Sequence, residues 1–340
     1  MRQICLALLG ALLVSIGLAP ASAQQLEKIT IATMAITPNA PLLVAKERGY
    51  FKEAGLDAEI SIFQSAQDIV LAVSSGATMV GNGGLTAGFY NIAGKGGLRI
   101  IAAQSREEKG YHNNAFVVSR KAYDGGLKTL KDLPGHRIGI NAAGSTQHYA
   151  TGLIAQKFGF DLSSVTIVPL QNYPNLIAAF KGGQIDVMIA SVNIAQKLVG
   201  EGSGQIIGWS GDETPWQLGV VMTRPQVIEK DRPLLEKYLA VFTRATAEFN
   251  AAFNGLDKDG KPVKGPGYDA WLKDTAKVLN QPESEIAAAL PYVDPKAALD
   301  VGDIYNQVAF WQKAGLASPS VKANTLVDLS FVKSNFNIPK

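Results

Sequence analysis

The stretch NAAGSTQHYA, Asn141 to Ala150, gathers two hydroxyls (Ser145, Thr146), a carboxamide (Gln147) and an imidazole (His148) beside the flexible Gly144. HRIGI precedes it with the apolar pattern of a strand, and YATGLIAQKFGF follows with helical spacing. Three chemistries fit such a junction. A serine with a nearby histidine is the start of a nucleophilic pair. A serine or threonine before a helix is an ordinary cap. A helix start with free N–H groups also suits an anion or a polar acceptor. The nucleophile reading is weak. Ser145 follows Gly144 directly and no glycine lies two residues after it, so the strained serine turn of hydrolases is absent, and no carboxylate in the stretch could orient His148.

Other possible chemistries fail on spacing. GNGGLTAG (Gly81–Gly88) follows a strand, but no glycine stands three residues after Gly83 and no ribose-binding acid ends the next strand, LRIIAAQS. AGKGG around Lys95 lacks the glycine and the hydroxyl of a phosphate loop. The three histidines, His112, His136 and His148, show no metal-ligand spacing. Asp257-x-Asp259-Gly260 lacks the ligand spacing and closing glutamate of a calcium loop. The expectation is therefore no catalytic residue, no metal and no cofactor.

The elements that position these residues recur. QSAQDIVLAVSSGATMV from Gln64 is echoed by QNYPNLIAAFKGGQIDVMI from Gln171, 107 residues on (171 − 64), and Gly76 is matched by Gly183 at the same offset (183 − 76). The first copy reads as strands Ile29–Thr33, Ala58–Phe63, Thr78–Gly81 and Leu98–Ala102, with helices Pro41–Phe51, Gln67–Ser74 and Leu85–Ala93 between them. Such alternation gives an α/β fold with mostly parallel sheets covered by helices. Two apolar strands, Ala115–Ser119 and Leu218–Thr223, flank the second copy as crossover hinge strands between two lobes. Beyond Arg224 helices are expected at Arg232–Phe253, Tyr268–Leu279, Glu283–Leu290 and Val301–Ala314, with a Gly/Pro-rich turn at Leu256–Gly267. The expected boundaries are a first lobe over 24–119, a second over 120–217 and a return to the first over 218–340.

The chain start reads as a secretory signal peptide over 1–23: Arg2, an apolar run from Ile4 to Leu18, then Ala21-Ser22-Ala23 with cleavage after Ala23. Cleavage leaves about 317 residues, and Cys5, the only cysteine, goes with the signal, so the mature chain would lack thiol chemistry. Its charge would be near +2 (31 bases against 29 acids) with no basic run, which argues against a nucleic-acid partner.

Ligands of open α/β sheets bind beyond the carboxyl ends of the strands. The loops there are Met34–Asn39, Gln64–Asp68, Val80–Leu85 and Gln104–Arg106 in the first lobe. In the second they are Asn141–His148, Gln171–Asn175, Ala190–Asn193 and Ser210–Trp216. The expected ligand contacts are Thr37, Asn39, Gln64, Asn82, Gly83, Gly84, Ser145, Thr146, Gln147, His148, Ser191 and Asn193. The glycines allow close backbone approach. Trp216 either stacks on a planar ligand or packs the hinge. Any one hydroxyl is explained by capping alone; recurrence in both lobes points to a site. Arg106 is the only arginine or lysine in these loops, which leaves charge recognition to helix starts and amides.

PLLVAKERGYFKEAGLDAEI (Pro41–Ile60) resembles the opening of periplasmic substrate-binding proteins of nitrate/taurine/sulfonate-type ABC importers. TLKDLPGHRIGINAAGST (Thr129–Thr146), GGQIDVMIAS (Gly182–Ser191) and the closing VAFWQKAGL and NTLVDLSFVK resemble later segments of the same family. The resemblance covers most of Lys28–Lys333 and implies a type II periplasmic-binding-protein fold of two lobes. It also implies a periplasmic, monomeric, non-catalytic protein that captures a small organic solute, such as a sulfonate, a carboxylate or an aromatic anion, and docks transiently on an inner-membrane permease. Many members have prolines after the glycine loop and near Val192, where this chain has Leu85-Thr86 and Val192-Asn193, so the ligand's identity does not carry over. The alternatives are a fold-related enzyme of pyrimidine and thiamin-precursor metabolism, which depends on a cysteine-rich motif missing here, and a secreted sensor that presents its ligand to a membrane receptor.

Overall fold

In the computed structural model, residues 25–288, 291–332 and 335–336 are described. The expected signal peptide, its cleavage point and Cys5 lie outside them, as do the last two residues of the expected Glu283–Leu290 helix. Ten strands build two five-stranded sheets. They are β1 (Glu27–Thr33), β2 (Leu56–Ile62), β3 (Val80–Gly84), β4 (Arg99–Glu107), β5 (Asn114–Ser119), β6 (Arg137–Ile140), β7 (Thr166–Pro169), β8 (Val187–Ser191), β9 (Gly204–Trp209) and β10 (Trp216–Thr223). The first half carries helices α1 (Ala40–Glu47), α2 (Tyr50–Glu53), α3 (Ala66–Ser75) and α4 (Ala87–Gly94). The second carries α5 (Arg120–Asp124), α6 (Thr146–Phe158), α7 (Tyr173–Lys181), α8 (Val192–Gly200) and α9 (Ser210–Glu213). The C-terminal third adds α10 (Pro225–Lys230), α11 (Arg232–Phe253), α12 (Tyr268–Leu279), α13 (Glu283–Ala288) and α14 (Val301–Lys313).

The sheet orders are β2-β1-β3-β10-β4 and β7-β6-β8-β5-β9. In each, a central strand pairs in parallel with two neighbours and the crossing strand runs antiparallel between its partners. Ile138 opposite Val187 stands 107 residues beyond Ile31 opposite Val80 (138 − 31 and 187 − 80), so the sequence offset is a register shared by both sheets. β5 and β10 are supplied to opposite sheets, and the chain passes between them through residues 108–113 and 210–215.

Residues 31–33 of β1 and 100–107 of β4 are buried without a break, so neither strand shows the in–out alternation of a sheet with one face in water. One apolar cluster belongs to the first sheet and the C-terminal helices, and another to the second sheet. A third joins both, running from Ile69 and Tyr90 through Trp216, Tyr149 and Trp311 to Ile138. The expected single helix Pro41–Phe51 is split: Gly49 sits in the left-handed region (φ 81°) and separates α1 from α2. Gly81–Gly84 form strand β3 instead of a loop. A Cβ on Gly81 would lie 2.7 Å from Val73 and 2.9 Å from Ile69, so glycine here lets α3 lie close on the strand. Gln104–Arg106, also expected as a loop, continue β4.

Candidate functional site

The carboxyl ends of both sheets face each other across a cavity of about 510 Å³. α3, α6, α7 and α8 start at its wall, and the cap of α4 joins them. Ser65 Oγ accepts from Asp68 N (3.2 Å), Thr86 Oγ1 from Phe89 N (3.1 Å), Ser145 Oγ from His148 N (3.4 Å), and Asn172 Oδ1 from Asn175 N (2.9 Å). Each cap satisfies one N–H; the other first-turn N–H groups of these helices have no intrahelical acceptor. The hydroxyls of the serine–threonine stretch therefore serve as cap and cavity wall together.

Thr37, Asn39, Gln64, Gly83, Ser145, Thr146, Gln147, Ser191, Asn193 and Trp216 all line the cavity. Gln147 is fully engaged by the protein: Oε1 accepts from Asn141 N (2.6 Å) and Nε2 donates to Ile189 O (2.9 Å), tying the α6 start to β8. Trp216 is 2% exposed, donates Nε1–H to Ser210 Oγ (3.3 Å) and meets Tyr149 edge-on, so its ring packs the junction and only its margin reaches the cavity.

Three expected contacts lie elsewhere. Asn82 points to the opposite face of β3, as strand alternation requires, and donates Nδ2 to the Tyr238 hydroxyl (3.2 Å). Gly84 is a point of lobe contact: a Cβ there would lie 2.8 Å from Thr146 Cγ2. His148 faces the far side of α6, where Nδ1 accepts from Gly144 N (3.2 Å) and the ring packs edge-on to Trp311. Burial there lowers its pKa, and it lines a second hollow of about 970 Å³ between α6 and α14. With Ser145 capping α6 on one side and His148 turned to the other, the nucleophile–base pair is not assembled.

Among the described residues Asp68 is the only charged side chain at the cavity wall, and it is exposed and accepts from Ser65 Oγ (2.7 Å). Arg106 does not line the cavity; it pairs with Glu108 (3.1 Å) and approaches Asp300 (3.8 Å). The rest of the wall is neutral and amide-rich. Sequence reasoning missed Asn113 and Asn114 at the start of β5, and Gln281 in the turn between α12 and α13. The Asn113-Asn114 pair before an apolar strand was a usable signal. Gln281 had none, because it reaches the cavity from a helix pair far along the chain, and α13 packs against α8 of the other lobe. Behind the asparagines, Glu107 is fully buried; burial pushes its carboxyl up to about 7 against the opposing effect of their amide hydrogen bonds.

A family profile described as "NMT1: NMT1/THI5 like" matches residues 37–251. No curated protein sequence matches the chain. Among solved structures it is similar to the alkanesulfonate-binding protein SsuA from Xanthomonas axonopodis pv. citri bound to MOPS (TM-score 0.69, 17% identity, covering 88% of this chain and 98% of that one). The periplasmic aliphatic sulphonate binding protein SsuA from Escherichia coli gives a TM-score of 0.70 at 14% identity, covering 92% and 97% of the two chains. The periplasmic nitrate-binding protein NrtA from Synechocystis PCC 6803 gives 0.65 at 11%, covering 92% and 86%. At these identities the likeness establishes the fold, the two-lobed architecture of periplasmic binding proteins.

Proposed function

Since the chain belongs to the NMT1/THI5-like family, we propose that it is the periplasmic substrate-binding component of an ABC importer, exported by its signal peptide and acting as a monomer without chemical turnover. It captures a small organic solute between its lobes, among which sulfonates, carboxylates and aromatic anions are the first to test, and delivers it to an inner-membrane permease. The observation that carries this reading is the cavity itself: it lies between two sheets of matched topology and is walled by helix starts from both. A solute that bridges them stabilises the closed arrangement, which the permease then recognises. An anion is held there by backbone N–H groups and amides in place of a cation. The test is a thermal-shift screen of purified protein against alkanesulfonates, aromatic carboxylates, nitrate and pyrimidines. A binder at 100 times its Kd adds about 2.7 kcal/mol to stability. A screen in which nothing raises the melting temperature would sink the reading.

A further inference from the structure

The orientation of the cavity's carboxamides is fixed by the bonds behind them. Asn113 Nδ2 donates to Glu107 Oε1 at 2.9 Å, and Asn114 Nδ2 donates to the same oxygen. Asn39 Nδ2 donates to the Met34 carbonyl at 3.0 Å. An amide whose NH₂ is held on one side presents its carbonyl oxygen on the other. The Oδ1 atoms of Asn113 and Asn114 accept no protein hydrogen bond among the described residues, and both residues line the cavity. The starts of α3, α7 and α8 are arranged the opposite way. Asn172 Oδ1 accepts from Asn175 N (2.9 Å), Asn193 Oδ1 from the Ser191 hydroxyl (2.6 Å) and Gln67 Oε1 from the Thr86 hydroxyl (3.1 Å). Their NH₂ groups are the ends left over, beside the first-turn N–H groups. The hinge floor thus offers the amide oxygens of Asn113 and Asn114, and the starts of α3, α7 and α8 offer the NH₂ groups of Gln67, Asn172 and Asn193, while Asn39 before α1 and Asn141 before α6 keep buried oxygens without a partner among the described residues.

Resting on the cleft reading above, we propose that Glu107, buried behind the floor and out of reach of the solute, is the positioning residue that sets the floor's polarity. The solute then carries an N–H or O–H group against Asn113 and Asn114, and an acceptor or anionic group against the helix starts. Glu107 is suited to this because Oε1 accepts from both amides while Oε2 is buried without a partner among the described residues. A proton taken up on Oε2 leaves Oε1 an acceptor, so the orientation holds in either state. The other titratable groups that act on this carboxyl or feel it are Asp212 and Tyr173. Simple sulfonates and nitrate have no donor and leave the floor unsatisfied, whereas a donor-bearing analogue satisfies it.

Calorimetric titration of isosteric pairs tests this: aminomethanesulfonate against ethanesulfonate, and para-aminobenzoate against para-toluate. The amine of each pair is expected to bind about tenfold tighter to the wild type, the worth of one good hydrogen bond. In Glu107→Leu the shared acceptor is gone, the two asparagine NH₂ groups lose their partner behind the floor and turn inward, and the amine-to-methyl ratio falls to about one. Loss of general packing would not move that ratio. Asn114→Ala, which removes one floor acceptor and keeps Glu107, lowers the same ratio and stands in if Glu107→Leu does not fold. Equal binding within each pair, or a ratio unchanged in the variants, overturns this inference alone. Failure of every member to bind overturns it together with the cleft reading.

Discussion

At the scale of single residues, burial separates ligand contacts from structural polar groups. Thr146 stands at the cavity wall, so Thr146→Ala is expected to weaken binding several-fold with little change in melting temperature, measured by calorimetry and thermal shift. Asn82→Ala should do the reverse: affinity holds while stability drops by about 1–3 kcal/mol, because the buried Tyr238 hydroxyl loses its partner. Two buried carboxyls set the direction of the response to pH, against the opposing effect of the buried His148, whose lowered pKa adds stability as pH rises. Burial raises Glu107 to about 7 and Asp303 to about 6, above their ordinary values of 4.5 and 3.8. The folded state therefore holds protons that the unfolded state releases, and stability falls as pH rises through that window. Carboxyls held low, such as Asp186 beside Arg137, act only below about pH 4. Urea unfolding should show the protein more stable at about pH 5.5 than at about pH 7.5, and Glu107→Gln should remove roughly 2 kcal/mol of that difference. An unchanged slope in the variant would place the titration elsewhere.

At the scale of elements, the repeat was legible because strand and helix periodicity is local. Arg232–Phe253 and Tyr268–Leu279 form as read, since their apolar stripes match the helical period. The glycines of β3 misled because flexibility and close packing leave the same mark in a sequence. Gly81 admits the side chains of α3, and only the packed structure tells this apart from a ligand loop. The floor asparagines were half visible, as polar residues before an apolar strand, but their support by Glu107 depends on tertiary burial. Gly84 and Gly144 mark the seam between lobes: Ala87 N donates to Gly144 O (2.9 Å), and a Cβ on Gly144 would lie 2.8 Å from Ala87 Cβ. Gly84→Ala, which would drive a methyl against Thr146, should prop the cleft open. The expected readings are a larger radius of gyration by small-angle scattering and binding weakened about tenfold or more, with the melting temperature of the empty protein nearly unchanged.

At the scale of the whole molecule, two passages of chain and a shared apolar cluster couple the halves. α14 contributes Trp311 and Val308 to the cluster that also holds Tyr149 and Ile138, and the Tyr149 hydroxyl donates to Asp303 (3.2 Å). Calorimetric unfolding is expected as one transition despite two sheets, and resolved peaks would show that the cluster does not bind the halves into one cooperative unit. The roof has its own origin. Gln281 stands over the cavity from a turn that belongs to neither sheet, and the short helix after it leans on α8 across the opening. Under the proposed capture, a solute leaving the cavity would pass residues rooted in the C-terminal third, whereas the groups that recognise it would stand at the floor and helix starts. Residence time and choice of solute would then be set by separate stretches of chain, so a substitution at Gln281 would change the first without redrawing the chamber.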